Sequence, residues 1–345
     1  MFFKFKLANK VFIPALLLSF ISLVLLFSIS KTLFYSQIMK FIFLFLFFIF
    51  INFTSSVFWY EFASFFYIAI LMVLGVNLAF SSGIKRWVSF AGFAMQFSEF
   101  AKLSLLLFLS KFLSKNKLNI MNFFKACFLI IIPFVFVFKQ PDFGTSIIIL
   151  FSGLAMIWLK GLNRVFLIFS SITSLGIIPY IWSKLLPYQK DRIFAFLNPE
   201  LDKQGKSYQT IQSIIAVGSG GLLGSNALQN RLGFVPENHT DFIFSYCCEF
   251  GGFFLSSLVI FLIFYANYNL FLIFLDEKNL FKRFFIFGFM FIWSFESIMN
   301  IGMNLGLMPV TGVPLPFFSY GGSSLLTFCF MLGIFMNFMK EKVDL

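Results

Sequence analysis

VFIPALLLSFISLVLLFSI, residues 11–29, runs without a single charged side chain. At 1.5 Å of rise per residue such a run makes a helix about 28 Å long, close to the thickness of a bilayer's hydrocarbon core. A helix is the form it must take there, because hydrocarbon offers nothing to bond an open backbone. Lys4, Lys6 and Lys10 precede the run and no small-residue cleavage site follows, so it reads as a retained anchor. Further runs follow at Ile38–Phe50, Phe58–Phe80, Phe97–Leu113, Phe123–Phe138, Thr145–Leu159, Val165–Trp182, Phe242–Phe264, Phe284–Leu307 and Phe317–Met339. Composition agrees: of 345 residues, 60% are hydrophobic and only 12% charged, with a mean hydropathy of +0.93. A soluble domain carries about 25% charged residues. A water-soluble enzyme, a disordered chain and a disulfide-stapled secreted module are thereby excluded. The 60 phenylalanines carry no functional reading of their own. The expected fold is an all-α polytopic membrane protein of about ten transmembrane helices, one integral membrane domain over residues 1–345.

An even number of spans puts both termini on one side. With the N-terminus cytoplasmic, the inner segments carry Lys4, Lys6, Lys10, Lys111, Lys115, Lys117, Lys125, Lys160, Arg164, Lys278, Lys282, Arg283, Lys340 and Lys342. The short outer loops then carry only Lys31, Lys40, Lys85, Arg86 and Lys139. That bias is the one cytoplasmic loops show. The net charge of +12 is accordingly read as topology and contact with anionic membrane lipids, not as nucleic-acid binding. Residues 183–240 become one long extracytoplasmic loop between spans seven and eight, expected to hold one or two short interfacial helices and tight turns. Loops of that length are usually functional.

Cys127, Cys247, Cys248 and Cys329 all lie in apolar runs and read as small hydrophobes. The one histidine, His239, cannot build a multi-histidine metal site. No ligand spacing calls for a metal, although a divalent cation is compatible with the chain.

In a chain so poor in charge, ionisable residues inside or beside spans mark candidate sites. Glu99 and Lys102 sit three apart and share a helix face, as a structural ion pair or, with Lys85 and Arg86 just ahead, as part of a head-group site. Asp142 follows a proline and precedes Gly144, Thr145 and Ser146, the pattern of a helix N-cap as much as of a catalyst. Glu237, His239 and Asp241 put three proton-transfer groups within five positions at the mouth of the eighth span. Partial desolvation of Asp241 there would suit a general base; helix capping by Thr240 or Asp241 is the alternative. Glu249 reads as a packing partner on the eighth span. Glu296, Asn300 and Asn304 recur every four residues on the ninth, a polar stripe that reads as glue between helices. The Pro- and Gly-rich segment 309–324, with Ser319 and Ser323, is irregular backbone expected to line a cavity.

These pieces resemble the SEDS family of bacterial membrane proteins, the RodA and FtsW proteins. The matching stretches are RWVSFAGFAMQFSEFAK (86–102), KQPDFGTS (139–146), RIFAFLNPE (192–200), YQTIQSIIAVGSGGLLG (208–224), FVPENHTDFIF (234–244) and NIGMNLGLMPVTGVPLPFFSYGGSS (300–324). Residues 310–316 look like the RodA branch. The resemblance implies ten spans in the bacterial cytoplasmic membrane and a peptidoglycan glycosyltransferase that polymerises lipid II during cell elongation. It implies a class B penicillin-binding protein and the elongation machinery as partners. Its catalytic aspartate falls on Asp241; its other motif residues fall on Glu99, Lys102 and Asp142. Arg86, Arg192, Ser319 and Ser323 join these as expected substrate contacts, with Glu237, His239 and Glu249 in support. Two departures appear: Phe97 stands where the family commonly has proline, and Cys248 where it often has a glutamate. A lipid II flippase, the division-branch polymerase and a non-catalytic scaffold are the rival readings.

Overall fold

The computed structural model describes residues 2–80, 88–90, 93–161, 183, 190, 194–197, 207–225 and 235–340. The expected seventh span, Arg86, Arg192 and most of the long loop lie outside the described residues.

The described elements are α1 (Phe2–Ile29), α2 (Lys31–Asn52), α3 (Ser56–Phe80), β1 (Val88–Phe90), β2 (Phe93–Met95), α4 (Phe97–Lys115), α5 (Ile120–Lys139), α6 (Phe143–Gly161), α7 (Tyr208–Ser219), α8 (Ile243–Asp276), α9 (Leu280–Asn304) and α10 (Gly322–Lys340). Eight of these helices are long and apolar enough to cross a membrane, so the chain is a multi-pass membrane protein. The strands form one short antiparallel hairpin, Val88 opposite Met95, which the hydropathy pattern does not announce. It leads straight into α4.

Local chemistry sets several boundaries. Ser30, Asn119 and Asn279 cap α2, α5 and α9, each side chain accepting from a backbone N–H two or three residues on. Helix α2 starts seven residues earlier than the hydrophobic run suggests. Lys40, counted with the outer loops in the charge bias, is the tenth residue of that helix, and its ammonium rests over the Tyr320 ring, 3.5 Å from the centroid. A cation stacked on an aromatic face tolerates partial burial.

Helix α4 is the hub. It packs against α3, α5, α6, α9 and α10, and most of its residues are buried. Its four charges lower its hydropathy, yet neighbouring helices surround it on most sides, so few of them meet lipid. Helix α1 lies along α8, and α2 packs on α10.

Helix α8 runs on to Asp276, well past the expected Phe264, because FYANYNLFLIFLD keeps the apolar face going. Its first turns are split from the rest at Gly252, where φ is 64° and ψ −160°. The break frees the N–H groups of Phe253 and Phe254. They bond to the carbonyls of Gly221 and Leu222, at 2.9 and 3.2 Å, while Ser225 N–H donates to the Glu249 carbonyl at 2.9 Å. The turn after α7 is thus docked into the gap, where it meets the backbone groups that the kink exposes. A Cβ on Gly252 would run into Gly224 and Leu222. Gly252→Ala is therefore expected to destabilise the protein by about 1–3 kcal/mol, read as a lower Tm in detergent, because strain and collision act together.

Candidate functional site

The segment 235–241 carries the densest chemistry. Glu237 sits at φ 56°, and its carbonyl accepts from Thr240 N–H at 3.1 Å and Phe242 N–H at 3.2 Å. Its carboxylate accepts from the Thr240 hydroxyl at 3.1 Å and lies 4.0 Å from His239 Nε2. This tight turn presents Asp241 two residues ahead of the first helical residue of α8. Asp241 is half-buried.

Two other segments hold the turn. Tyr320 N–H donates to the His239 carbonyl at 2.9 Å, and the Ser319 hydroxyl donates to the Thr240 carbonyl at 2.7 Å while accepting from Leu315 N–H at 2.8 Å. From α9, the Asn300 and Asn304 carboxamides both donate to the Asp241 carbonyl, at 2.9 and 3.0 Å. Gly312, at φ 72°, lies under the Asp241 carboxylate: a Cβ there would stand 3.5 Å from Oδ2. Gly312→Ala puts a side chain at an unfavourable φ, and the backbone shift that relieves it would move the residue packed against that carboxylate; it should lower turnover by about tenfold or more with the chain still folded.

Lys40 and Ser36 approach from α2, the Ser36 hydroxyl 3.0 Å from the Tyr320 hydroxyl. Burial alone would raise the Tyr320 phenol's pKa; the Ser36 hydrogen bond and the Lys40 ammonium outweigh it and leave the phenol below its ordinary value. The His239 ring meets Tyr320 edge-on, centroids 5.5 Å apart.

Asp142 serves as a helix start. Its Oδ1 lies 3.4 Å from Thr145 N in the first turn of α6, and its Oδ2 accepts from Gln96 Nε2 at 2.6 Å and the Ser98 hydroxyl at 2.7 Å. It is 4% exposed. The Ser323 hydroxyl accepts from Gln96 N–H at 2.8 Å and so joins the start of α4 to α10. Glu249, buried on α8, gives its carbonyl to Ser225. The hydroxyls of Ser319 and Ser323 are engaged with backbone, which places them as clamps of the site's loops.

Glu99 and Lys102 do pair, at 2.8 Å, but deep inside. Lys102 Nζ also meets Glu296 Oε1 at 2.5 Å, and the three side chains are between 0 and 3% exposed. The Lys102 ammonium is enclosed by two carboxylates rather than offered to a head group at the surface. Glu296 is the member that sequence reasoning misplaces: its four-residue spacing from Asn300 resembles helix glue, and only the α4–α9 contact reveals the triad. Asn300 and Asn304 are likewise legible as polar, but their grip on Asp241 is not.

Fold and site together define a multi-pass membrane protein whose polar centre gathers at the mouth of one helix. The model for the cell cycle protein family FtsW/RodA/SpoVE matches residues 2–343, and the chain belongs to that family. It is 37% identical to the peptidoglycan glycosyltransferase MrdB of Escherichia coli K12 over 285 residues, 80% of this chain and 76% of MrdB. It is 34% identical to stage V sporulation protein E of Bacillus subtilis over 280 residues, 79% and 76% of the two chains. Among solved structures, a chain from a peptidoglycan synthase complex that coordinates polymerization and crosslinking superposes with a TM-score of 0.85. The two are 26% identical, with 97% of this chain and 98% of that one covered. RodA of Thermus thermophilus superposes at 0.74 with 25% identity, covering 97% of each chain.

Proposed function

We propose that this chain, a peptidoglycan glycosyltransferase like its relatives, polymerises lipid II in the bacterial cytoplasmic membrane, with its site on the extracytoplasmic side. Asp241 is the general base. It takes the proton from the C4 hydroxyl of an acceptor GlcNAc as that oxygen attacks C1 of the donor MurNAc; the bond from C1 to the diphosphate oxygen breaks, undecaprenyl diphosphate leaves with the electron pair, and the α-linkage inverts to β-1,4. Arg86, Arg192 and Lys40 supply positive charge for the diphosphate. His239 and Glu237 shape the turn that carries the base, and Asp142, Ser319 and Ser323 hold the loops around it. The observation that carries the reading is the half-buried Asp241, its main chain gripped by two carboxamides of α9. A base must be held still as well as placed near its proton.

A class B penicillin-binding protein is the partner, and the branch is cell elongation. Support for the partner comes from the likeness to a chain that works inside a peptidoglycan synthase complex, where polymerization is coordinated with crosslinking. Support for the branch comes from residues 310–316. The test is glycan-strand formation from purified lipid II by the detergent-solubilised protein, with and without that partner. Strands are expected with the partner present. If none form while the partner is shown to bind, lipid II flipping becomes the reading to pursue.

A further inference from the structure

An α-helix closes its first turn with N–H groups donating to carbonyls four residues back. The first N–H groups of a helix have no such carbonyl behind them. In α8, where Phe242 is the N-cap, Ser245 N–H is one of these. Ser245 N–H donates to Asn304 Oδ1 at 2.9 Å, and Asn304 Nδ2 donates to the Asp241 carbonyl at 3.0 Å. One carboxamide from α9 is spliced into the gap, its acceptor serving one backbone group and its donor the other. The first regular bond of the helix comes one residue later, from Tyr246 N–H to the Phe242 carbonyl at 3.2 Å.

The insertion is braced from several sides. The Ser245 hydroxyl also donates to Asn304 Oδ1, at 2.5 Å, and the Ser213 hydroxyl of α7 donates to the Asn304 carbonyl at 2.7 Å. Asn300 Nδ2 adds a second donor to the Asp241 carbonyl and also reaches the Val313 carbonyl at 2.8 Å. Both asparagines are 0% exposed.

Backbone satisfaction alone does not require this arrangement, because a helix begun one residue earlier, with Asp241 as its N-cap, would join Ser245 N–H to the Asp241 carbonyl with no side chain at all. What the splice changes is the place of Asp241. It keeps that peptide out of the helical register and ties it to α9. We propose that Asn304, assisted by Asn300, is a positioning residue that sets where the Asp241 carboxylate stands. The inference rests on the reading of Asp241 as general base.

The experiment compares wild type, Asn304→Leu, Asn304→Asp and Asn269→Leu in steady-state polymerisation of lipid II by the solubilised protein with its penicillin-binding partner, alongside Tm. Leucine removes both halves of the splice and lets the ordinary helical bond close. Aspartate keeps the acceptor for Ser245 N–H and, when ionised, lacks the donor to Asp241. Asn269, 2% exposed and donating within α8 to the Tyr265 carbonyl at 2.7 Å, controls for loss of a buried asparagine. Both Asn304 variants are expected to lose about 10- to 100-fold in kcat, with KM within about twofold, while Asn269→Leu keeps the wild-type kcat. Should Asn304→Leu fail to fold, Asn304→Asp decides alone. A folded Asn304 variant with wild-type kcat overturns the inference, as does one whose only change is a raised KM. An active Asp241→Asn protein would instead remove the reading beneath it, so the two failures are distinguishable.

Discussion

Asp241→Asn should reduce strand formation by about 10²–10⁴-fold, the usual contribution of a positioned general base. The substitution is nearly isosteric, and the bonds described above that hold the turn are made to main-chain carbonyls. Asn300 and Asn304 grip the residue's carbonyl, Ser319 grips the carbonyl of Thr240, and Tyr320 that of His239. Tm should therefore stay close to wild type, and KM should change little because the lost interaction acts in the transition state. Kinetics and thermal unfolding on the same preparation check both halves. A variant that keeps a tenth or more of the wild-type rate would move the base elsewhere. His239 and Glu237 would come next, since each is partly open to solvent. Asp142 and Glu99 would not, because the first caps α6 and bonds to Gln96 and Ser98 while the second is buried against Lys102.

Sequence is most readable where the physics is local. Apolar runs locate the eight described helices long enough to cross a bilayer, since length and hydrophobicity alone decide that. Asp142 shows its capping role through the proline before it and the small residues after it. Long-range pairing is harder to read. Glu296 lies 194 positions from Lys102, and nothing in the spacing of either announces the other. The charge bias counts Lys40 with the outer loops; Tyr320, 280 positions on, supplies the ring its ammonium rests over, and nothing local announces that contact. The break at Gly252 hides for a similar reason. Two adjacent glycines in an apolar run mark a weak point, but the turn at 221–225 that fills it belongs to another element.

Lys102→Met should destabilise the protein by about 3–5 kcal/mol, the scale for removing one partner of a buried ion pair. The reason is what stays behind. Glu99 and Glu296 would face each other between α4 and α9, and Glu296 Oε2 already has no hydrogen-bond partner among the described residues. Replacing the whole triad, Glu99→Gln with Lys102→Met and Glu296→Gln, removes every charge at once and should recover most of the lost stability, since neutral packing often matches a buried ion network. Thermal unfolding of the single and triple variants in one detergent makes the comparison. A triple variant as unstable as the single one would mean that the charge imbalance is not the cause. The same series separates two roles for Lys102. If the ammonium held a diphosphate, Lys102→Met would fold normally and raise KM for lipid II. The enclosed geometry gives the opposite expectation: the loss of strands follows the loss of fold, because the triad joins α4 to the helix that carries Asn300 and Asn304, and through them Asp241.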